Sequence, residues 1–491
     1  MTTLDPHDVQ SPPTPGDALP HWTYSRRQFL RHTLSTAAGG LSLLGAQTAH
    51  SARLPYRPDY GTLSPVNDQS TGLPLLQLPE GFQYWSFGWT GDLMSDGVPT
   101  PGAHDGMSVI SAAPDRLVLV RNHELTSRTA GSFAPGKNTY DAPCAAGTTT
   151  LTFAPAQRRW LSSWASLSGT LRNCAGGPTP WHSWISCEET VDGPHVGVAR
   201  QHGYCFEVPA SGLASPVPLR GMGCFYHEAA AVDPVTSFVY MTEDHGPSGL
   251  YRYMPQVRGR LSLGGRLQMM RIAGVQPNAG IDINGQYVRY YNTGVAQPAG
   301  TTWDVDWVDI DEPDRPFVSG TTYGGVRAQG LRQGACSFAR GEGAWYGNGL
   351  IFFCATSGGR AQDGQVFAYD PRRETLTMLF ESGGNADLDS ADNITWSPRG
   401  ALLVCEDGDA VPQALRGLTL DGTIFPFCLN NADFTANGIG RYVRPSGRVF
   451  DLDWREQEFT GASFHHEWLF VNIQRPGVTL AITGPWENGA L

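Results

Sequence analysis

Acidic side chains recur along this chain at the ends of short apolar runs, about once in each repeat-like unit. The acids in these positions are Glu124, Glu188, Glu189, Glu228, Glu243, Asp244, Glu342, Asp392, Glu406 and Asp407. Each of them taken alone is typical of a solvated turn. These ten acids occupy seven strand ends, because three of the ends carry two adjacent acids. Seven occurrences in similar positions favour one shared site, where so many carboxylates would repel each other unless cations neutralised them. Because carboxylate and amide oxygens are the ligands that Ca²⁺ prefers, the pattern predicts a calcium site.

A basic and an acidic residue, Arg340 and Glu342, stand two positions apart before the aromatic pair Trp345 and Tyr346. On a strand, residues two apart point to the same face, so both side chains could enter one cavity. A guanidinium can bind a phosphate or a carboxylate through two parallel hydrogen bonds. On these residues alone, a surface ion pair is an equally good interpretation.

The chain has nine cysteines and no CxxC pair, so at least one cysteine is free, buried or a metal ligand. Cys205, Cys354 and Cys405 lie in apolar runs and are predicted to be core residues. Cys174 lies instead in a tight polar turn, NCAGG, and a single thiolate among oxygen ligands suits a transition metal such as iron. The sequence contains neither a GxSxG nor an HExxH motif, so serine hydrolase and zinc protease chemistry have no support.

The elements that must position these residues are strands. From about residue 75 onward, short runs rich in Val, Tyr, Phe, Trp and Thr alternate with Gly, Pro, Asn and Asp turns. The degenerate repetition of strand pairs predicts an all-β fold, a β-propeller with extra loops and short insertions, with a pair of large β-sandwiches as the alternative. We expect one catalytic propeller domain over residues 53–491. In a propeller, equivalent strand ends converge on the central channel, which would gather the acids in one place.

The first 52 residues are predicted to be a disordered leader followed by an export signal. The segment SRRQFLR at 25–31 precedes a small, apolar stretch at 33–49, which matches a twin-arginine signal and is too short to span a membrane stably. We therefore expect the twin-arginine (Tat) translocase as a partner, a periplasmic or secreted location, no stable membrane insertion and a monomer. The net charge of −12 argues against a nucleic-acid partner.

Nine ordered motifs from about residue 75 to the C-terminus resemble those of the PhoX-type alkaline phosphatases, a Tat-exported family. They are NCAGGPTPW, SCEE, HEAA, TEDHGPSGLYRY, RGEGAWYGNG, ATSGG, DNITWSPRG, CEDGD and NIQRPG. The resemblance implies a six-bladed propeller whose mouth holds a cluster of calcium and ferric iron (Ca²⁺ and Fe³⁺) with a bridging oxo group. It also implies hydrolysis of phosphate monoesters, small phosphorylated substrates and a metal-bound oxide or hydroxide as nucleophile.

The resemblance assigns roles to individual residues. It implies that Cys174 is the thiolate ligand of iron and that Arg340 binds phosphate. It implies that the cluster carboxylates are Glu189, Glu228 and Glu342, that further ligands are Glu124, Asp392 and Glu406, and that Asn122 contacts metal or phosphate. The chain departs from the family pattern in being shorter than the larger members, and at His182, Ser183 and His245.

Two other functions are compatible with the same acids. One is a calcium-dependent propeller hydrolase of another class, a lactonase or a phosphodiesterase, which would need neither the thiolate nor a phosphate-binding arginine. The other is a non-catalytic exported propeller in which the acids only hold structural calcium.

Overall fold

Antiparallel strands account for most of the chain in the structure, a computed structural model that describes residues 57–316 and 324–491. The predicted leader and export signal, residues 1–52, lie outside the described residues. Residues Tyr56–Leu491 form one compact unit. Within the described ranges no helix is long and apolar enough to cross a membrane.

Three short strands come first, and six groups of consecutive antiparallel strands, here called blades 1 to 6, follow in chain order. The first strands are β1 (Ser64–Val66), β2 (Leu76–Leu78) and β3 (Gln83–Phe87). Blade 1 consists of β4 (His104–Ala113), β5 (Arg116–His123), β6 (Ala146–Ala154) and β7 (Arg159–Thr170). Blade 2 consists of β8 (Asn173–Pro178), β9 (Ser183–Glu188) and β10 (Cys205–Pro209). Blade 3 consists of β11 (His227–Val232), β12 (Val239–Glu243), β13 (Leu250–Pro255) and β14 (Gly265–Ile272).

The second half of the chain repeats this plan. Between blades 3 and 4 lie β15 (Ala279–Ile283), β16 (Gln286–Tyr290), β17 (Thr302–Asp309) and the helix α1 (Gly325–Arg332). Blade 4 consists of β18 (Gly341–Gly347), β19 (Leu350–Ala355), β20 (Gln365–Asp370) and β21 (Thr375–Glu381). Blade 5 consists of β22 (Ala391–Trp396), β23 (Leu402–Glu406), β24 (Ala414–Leu418) and β25 (Ile424–Asn430). The short hairpin β26 (Tyr442–Val443) and β27 (Val449–Phe450) precedes blade 6, which contains β28 (Phe459–His465), β29 (Trp468–Ile473) and β30 (Val478–Thr483).

The blades form a closed ring. The first strand of each blade contacts the first strand of the next, and β28 of blade 6 contacts β4 of blade 1. The N-terminal strand β3 pairs with β30 and so completes the last blade. β1 and β2 extend blade 5, while β17 joins the outer strands of blades 3 and 4. The predicted all-β, six-bladed propeller is therefore confirmed, and the hairpins β15–β16 and β26–β27 are insertions into it.

Small residues let the first strands approach each other closely around the ring. A Cβ atom added at Gly177 would lie 1.6 Å from the carbonyl oxygen of Ala230 in the next blade. One added at Gly106 would lie 2.5 Å from the Cα of Ala175. This spacing explains why glycine and alanine follow the acids in motifs such as HEAA, since a larger side chain would force neighbouring blades apart.

We expect Gly177→Ala to destabilise the propeller by about 3 kcal/mol, the upper part of the usual range for overpacking, because the added methyl group overlaps a backbone carbonyl that has no room to move. The measurement is the free energy of unfolding by chemical denaturation. Gly136→Ala is the matched control, since its Cβ would meet nothing nearer than Asn138 Oδ1 at 3.5 Å. Equal stability of the two variants would contradict the close approach of β8 and β11.

Candidate metal centre

The first strands of blades 1 to 5 each carry a possible metal ligand at their second residue. These residues are Asp105, Cys174, Glu228, Glu342 and Asp392. In each strand the pairing register shifts at this point: His104 pairs with His123, but Met107 pairs with Arg121, so three steps on β4 match two on β5. The same shift occurs in β8, β11, β18 and β22. A β-bulge changes the direction of the side chain it contains, so one repeated irregularity directs all five groups.

Blade 6 also contributes an acid to the site, but not from the bulge of its first strand. The register of β28 shifts between Thr460 and Ser463, so the position equivalent to the five ligands is Gly461. Its φ of +61° suits glycine, and a Cβ there would lie 2.7 Å from the carbonyl oxygen of Asp105. Glu458, directly before β28, supplies the acid instead, and burial together with Asp392 and Asp407 raises its pKa well above the usual range.

A second set of acids comes from the residues that directly follow the second strands of four blades. These residues are Glu124, Glu189, Asp244 and Asp407. Together with the acids of the first set and Glu458 they make nine carboxyl groups, which with the thiol of Cys174 we call the carboxylate cluster. Arg172 connects two of them, with its Nε 3.1 Å from Glu124 Oε1 and its Nη1 3.6 Å from Glu189 Oε1.

Glu228 is the centre of the cluster. Cys174, Glu189 and Glu228 each offer a ligand atom within 4.8 Å of the others, and Glu228, Glu342 and Asp392 do the same. Its Oε2 is buried and has no hydrogen-bond partner among the described residues. Since a buried carboxylate oxygen without a partner is costly, an ion between these groups would supply the missing interaction. The donor set, many oxygens and one sulfur, fits hard cations together with one transition metal.

The electrostatics of the cluster favour bound positive charge. Burial raises the pKa of Glu189 to about 9, with Asp244 and Glu124 adding to the effect and Arg172 opposing it. Burial also raises the pKa of Glu228 well above its usual range, and neighbouring acids act in the same direction. Burial, followed by Asp105 and Glu228, raises the pKa of the Cys174 thiol. A metal ion would reverse these shifts, because a nearby cation stabilises carboxylates and a coordinating thiol loses its proton.

The structure does not bring Glu406 into the cluster. As the last residue of β23 it is buried within its blade, where it accepts hydrogen bonds from Arg416 Nε at 2.9 Å and from the Asp389 amide at 3.0 Å. The next residue, Asp407, has its pKa raised to about 7 by burial and by Asp392. Successive residues of a strand point to opposite faces, so only one acid of each pair can face the channel.

Two other acid pairs follow the same rule. Glu188 accepts hydrogen bonds from His202 Nδ1 at 2.6 Å and from the Leu171 amide at 2.9 Å. Glu243 is paired with the buried Arg327, whose Nη1 lies 3.0 Å from its Oε1. In each pair the first acid is bound by neighbouring protein groups, and the second acid, Glu189 or Asp244, belongs to the carboxylate cluster.

Asn122 lies beside the cluster and holds the strand that carries Cys174. Its amide nitrogen donates to the carbonyl oxygens of Cys174 at 2.9 Å and Ala175 at 2.7 Å. Its side-chain oxygen accepts from Trp184 Nε1 at 3.0 Å and Ser186 Oγ at 2.9 Å. Both donors and both acceptor sites are thus occupied by protein, which leaves no capacity for a metal ion or a phosphate.

Arg340 lies at the rim of the cluster, with its side chain half exposed. Its Nε and Nη2 donate to Asp244 at 2.7 and 2.8 Å, and Nη2 also donates to Glu342 at 2.9 Å. The hydrogen bonds to Asp244 raise its pKa further, so the guanidinium is charged. Its backbone φ of 56° is the left-handed conformation that non-glycine residues rarely adopt. Of the described residues, none accepts a hydrogen bond from its Nη1, which leaves the two N–H groups of this nitrogen for a substrate.

Sequence reasoning missed three groups at this site, Asp105, Glu458 and Arg172. The segment AHDG at 103–106 has a local signal, because it places an acid before a small residue at a strand start, as HEAA does. Glu458 has no such signal, since it precedes its strand instead of occupying the bulge. Asp244 and Asp407 were recognised as members of acid pairs, but which acid of each pair would face the channel could not be determined.

Comparison with known proteins gives the chain a family. The model of the family described as alkaline phosphatase PhoX matches residues 59–477. The fold is similar to that of Pseudomonas fluorescens PhoX in complex with vanadate, a transition state analogue, with a TM-score of 0.58, 16% identity, and coverage of 88% of this chain and 99% of that chain. A catalytically inactive virginiamycin B lyase from Staphylococcus aureus, in a structure with quinupristin, gives a TM-score of 0.37 at 10% identity, and the match covers 82% of this chain and 99% of that one.

No curated protein sequence matches. Because the family model covers most of the sequence, the chain belongs to the PhoX alkaline phosphatases, a family of phosphoric monoester hydrolases.

Proposed function

We propose that the chain hydrolyses phosphate monoesters at a centre of calcium and iron in the carboxylate cluster. The observation that carries the proposal is Glu228, a buried carboxylate that two groups of ligand atoms share and that has one oxygen without a described partner. Its neighbours provide the oxygens that Ca²⁺ requires, and Cys174 provides the one soft ligand that suits iron. When bound, these cations supply Lewis acidity toward the phosphoryl group and activate the attacking oxygen.

Arg340 is the residue that we assign to the substrate. It is held at the rim by Asp244 and Glu342, so its direction is fixed before a substrate arrives. Its exposed, charged guanidinium can bind the equatorial oxygens of the phosphoryl group, whose negative charge the transition state redistributes. Asn122 then acts as a positioning residue, since its hydrogen bonds hold the backbone at Cys174.

The cellular setting belongs to the same proposal. A twin-arginine signal at residues 25–31 would direct the folded chain through the Tat translocase into the periplasm or the medium. We infer a monomer acting on small phosphorylated substrates. The family match favours an esterase of this class over the lactonase, the phosphodiesterase and the non-catalytic calcium-binding propeller.

We expect Arg340→Ala to lower kcat/KM for p-nitrophenyl phosphate at least about a hundredfold, the usual effect of removing one charge-stabilising donor. Metal content, measured by plasma mass spectrometry, should not change. Arg340→Lys should have a kcat/KM between those of the wild type and Arg340→Ala, because lysine keeps the charge and loses the paired hydrogen bonds to Asp244 that hold it in place. Arg373→Ala, at an exposed site far from the cluster in its blade, is the control. Wild-type activity in Arg340→Ala would exclude its role in binding phosphate.

Asp407→Asn and Glu406→Gln should have opposite effects, although the two residues are adjacent. We expect Asp407→Asn to weaken calcium binding, measured by titration calorimetry, with little change in stability. Glu406→Gln should leave calcium binding intact and destabilise the protein by about 1–3 kcal/mol, because it leaves the partly buried Arg416 without its charged partner. A loss of calcium affinity in Glu406→Gln instead would contradict the assignment of the two faces of the strand.

Chelation should destabilise the protein more at high pH than at low pH. Without metal, Glu189 has a pKa of about 9 in the folded chain and about 4.3 when unfolded. Only the folded chain holds this proton between these values, so the stability of the metal-free protein falls as pH rises through that window. The measurement is the difference in Tm between calcium-loaded and chelator-treated protein from pH 5 to 9. If this Tm difference stayed constant or became smaller toward pH 9, the result would argue against the idea that the metals act by neutralising the carboxylates.

A further inference from the structure

A second group of ligand-type side chains lies in the apolar core where blades 2 and 3 meet. It consists of Cys187, Cys205 and His227, all of them fully buried. Each offers a ligand atom within 4.8 Å of the other two. The two Sγ atoms are 3.6 Å apart, and Cys205 Sγ is 3.3 Å from His227 Nδ1. None of the three belongs to the carboxylate cluster.

The backbone brings the two thiols together. Cys187 on β9 is directly opposite Cys205 on β10. One step further along, the Glu188 amide donates to the Tyr204 carbonyl, so the cysteines occupy the neighbouring non-hydrogen-bonded pair. Side chains approach most closely in pairs of this type.

His227 is oriented toward these thiols by its other ring nitrogen. Nε2 lies 3.0 Å from the carbonyl oxygen of Gly223, which can only accept a hydrogen bond, so Nε2 carries the proton. The lone pair of Nδ1 therefore faces Cys205. The ring also stacks on Phe225, with 3.6 Å between centroids, which fixes its plane. A histidine held by a backbone carbonyl in this way is the usual arrangement for a metal ligand.

We propose that Cys187, Cys205 and His227 bind a thiophilic metal ion, with zinc as the expected occupant. A tetrahedral zinc ion with ordinary bond lengths would separate two sulfur ligands by about 3.8 Å and a sulfur from a nitrogen by about 3.5 Å. The separations of 3.6 and 3.3 Å are each within a few tenths of an ångström of those values. The three protein ligands leave the fourth coordination position of the zinc ion for an oxygen or nitrogen ligand.

The charge of such a site suits its surroundings. Binding releases two thiol protons, so a dication with two thiolates and a neutral imidazole has no net charge. A neutral site avoids the large cost of placing an unpaired charge in a dry core. The core around it contains Ile185, Met241 and Tyr251.

A comparable buried group, Asp141, Cys144 and His202, fits a metal less well. Asp141 Oδ2 already accepts two backbone amide hydrogen bonds, from Ala199 and Arg200, each at 2.9 Å. Glu188 also lies 2.6 Å from His202 Nδ1, so this group is satisfied as a network of protein hydrogen bonds.

The position of the proposed zinc site gives it a structural role. Cys187 lies two residues before Glu189, and His227 lies directly before Glu228. An ion that links β9, β10 and β11 would therefore fix the spacing of two acids of the carboxylate cluster. It would connect blades 2 and 3 directly beside the carboxylate cluster.

The test is zinc X-ray absorption on full-length Cys174→Ser protein loaded with Zn²⁺ and freed of unbound metal. This variant removes the only thiol of the carboxylate cluster and leaves the three proposed ligands intact. We expect one zinc per chain with two sulfur neighbours and one imidazole nitrogen. Zinc without sulfur ligands would overturn the proposal.

A second experiment adds Cys205→Ser to this background and compares it with Cys354→Ser, a buried cysteine in blade 4. The first variant should lose the sulfur-bound zinc, and the second should retain it. Equal zinc content in both would overturn the proposal. So would a count of two fewer titratable thiols in denatured, unreduced wild-type protein, because a Cys187–Cys205 disulfide would then occupy the site.

Discussion

Nine carboxyl groups and a thiol meet at the mouth of this propeller, and when ionised they repel one another at distances where little water can screen them. Among the described residues, Arg172 and Arg340 form the ion pairs with this cluster. Two guanidinium groups cannot balance so many anions. The remaining negative charge requires protons or metal ions, and in the proposed metal centre the cations supply this counter-charge. Under the proposal above, bound cations would therefore help to hold the closed ring of blades together.

The fold places these groups by repeating one device. Each first strand contains a bulge near its start, and in five blades the side chain in the bulge is a candidate metal ligand. Small residues follow the ligands because neighbouring strands come within contact of backbone atoms there, as Gly177 and Ala230 do. In blade 6 the bulge itself holds Gly461, and the acid moves to Glu458. The arrangement of the site thus follows from ring closure and local strand irregularity.

The sequence was sufficient to predict the propeller and the gathering of acids at strand ends, because these depend on local patterns that repeat. For Arg340, the residues alone left a surface ion pair as an equally good interpretation. It could not separate Glu406 from Asp407, since one residue of register reverses which acid faces the channel. The amide of Asn122 makes all of its hydrogen bonds within the protein, which only the fold can reveal. Glu458 could not be found either, because its position depends on how blade 6 closes against blade 1.

The most direct test of this account is anomalous X-ray diffraction from crystals of the protein grown with calcium and iron. The account predicts calcium peaks within bonding distance of Glu228, Glu342 and Asp392, and an iron peak bonded to Cys174 Sγ. It also predicts that Asp105 and Glu458 contact these ions or their bound waters. A channel mouth without ions, in which the carboxyl groups hydrogen-bond to one another as acids, would contradict it.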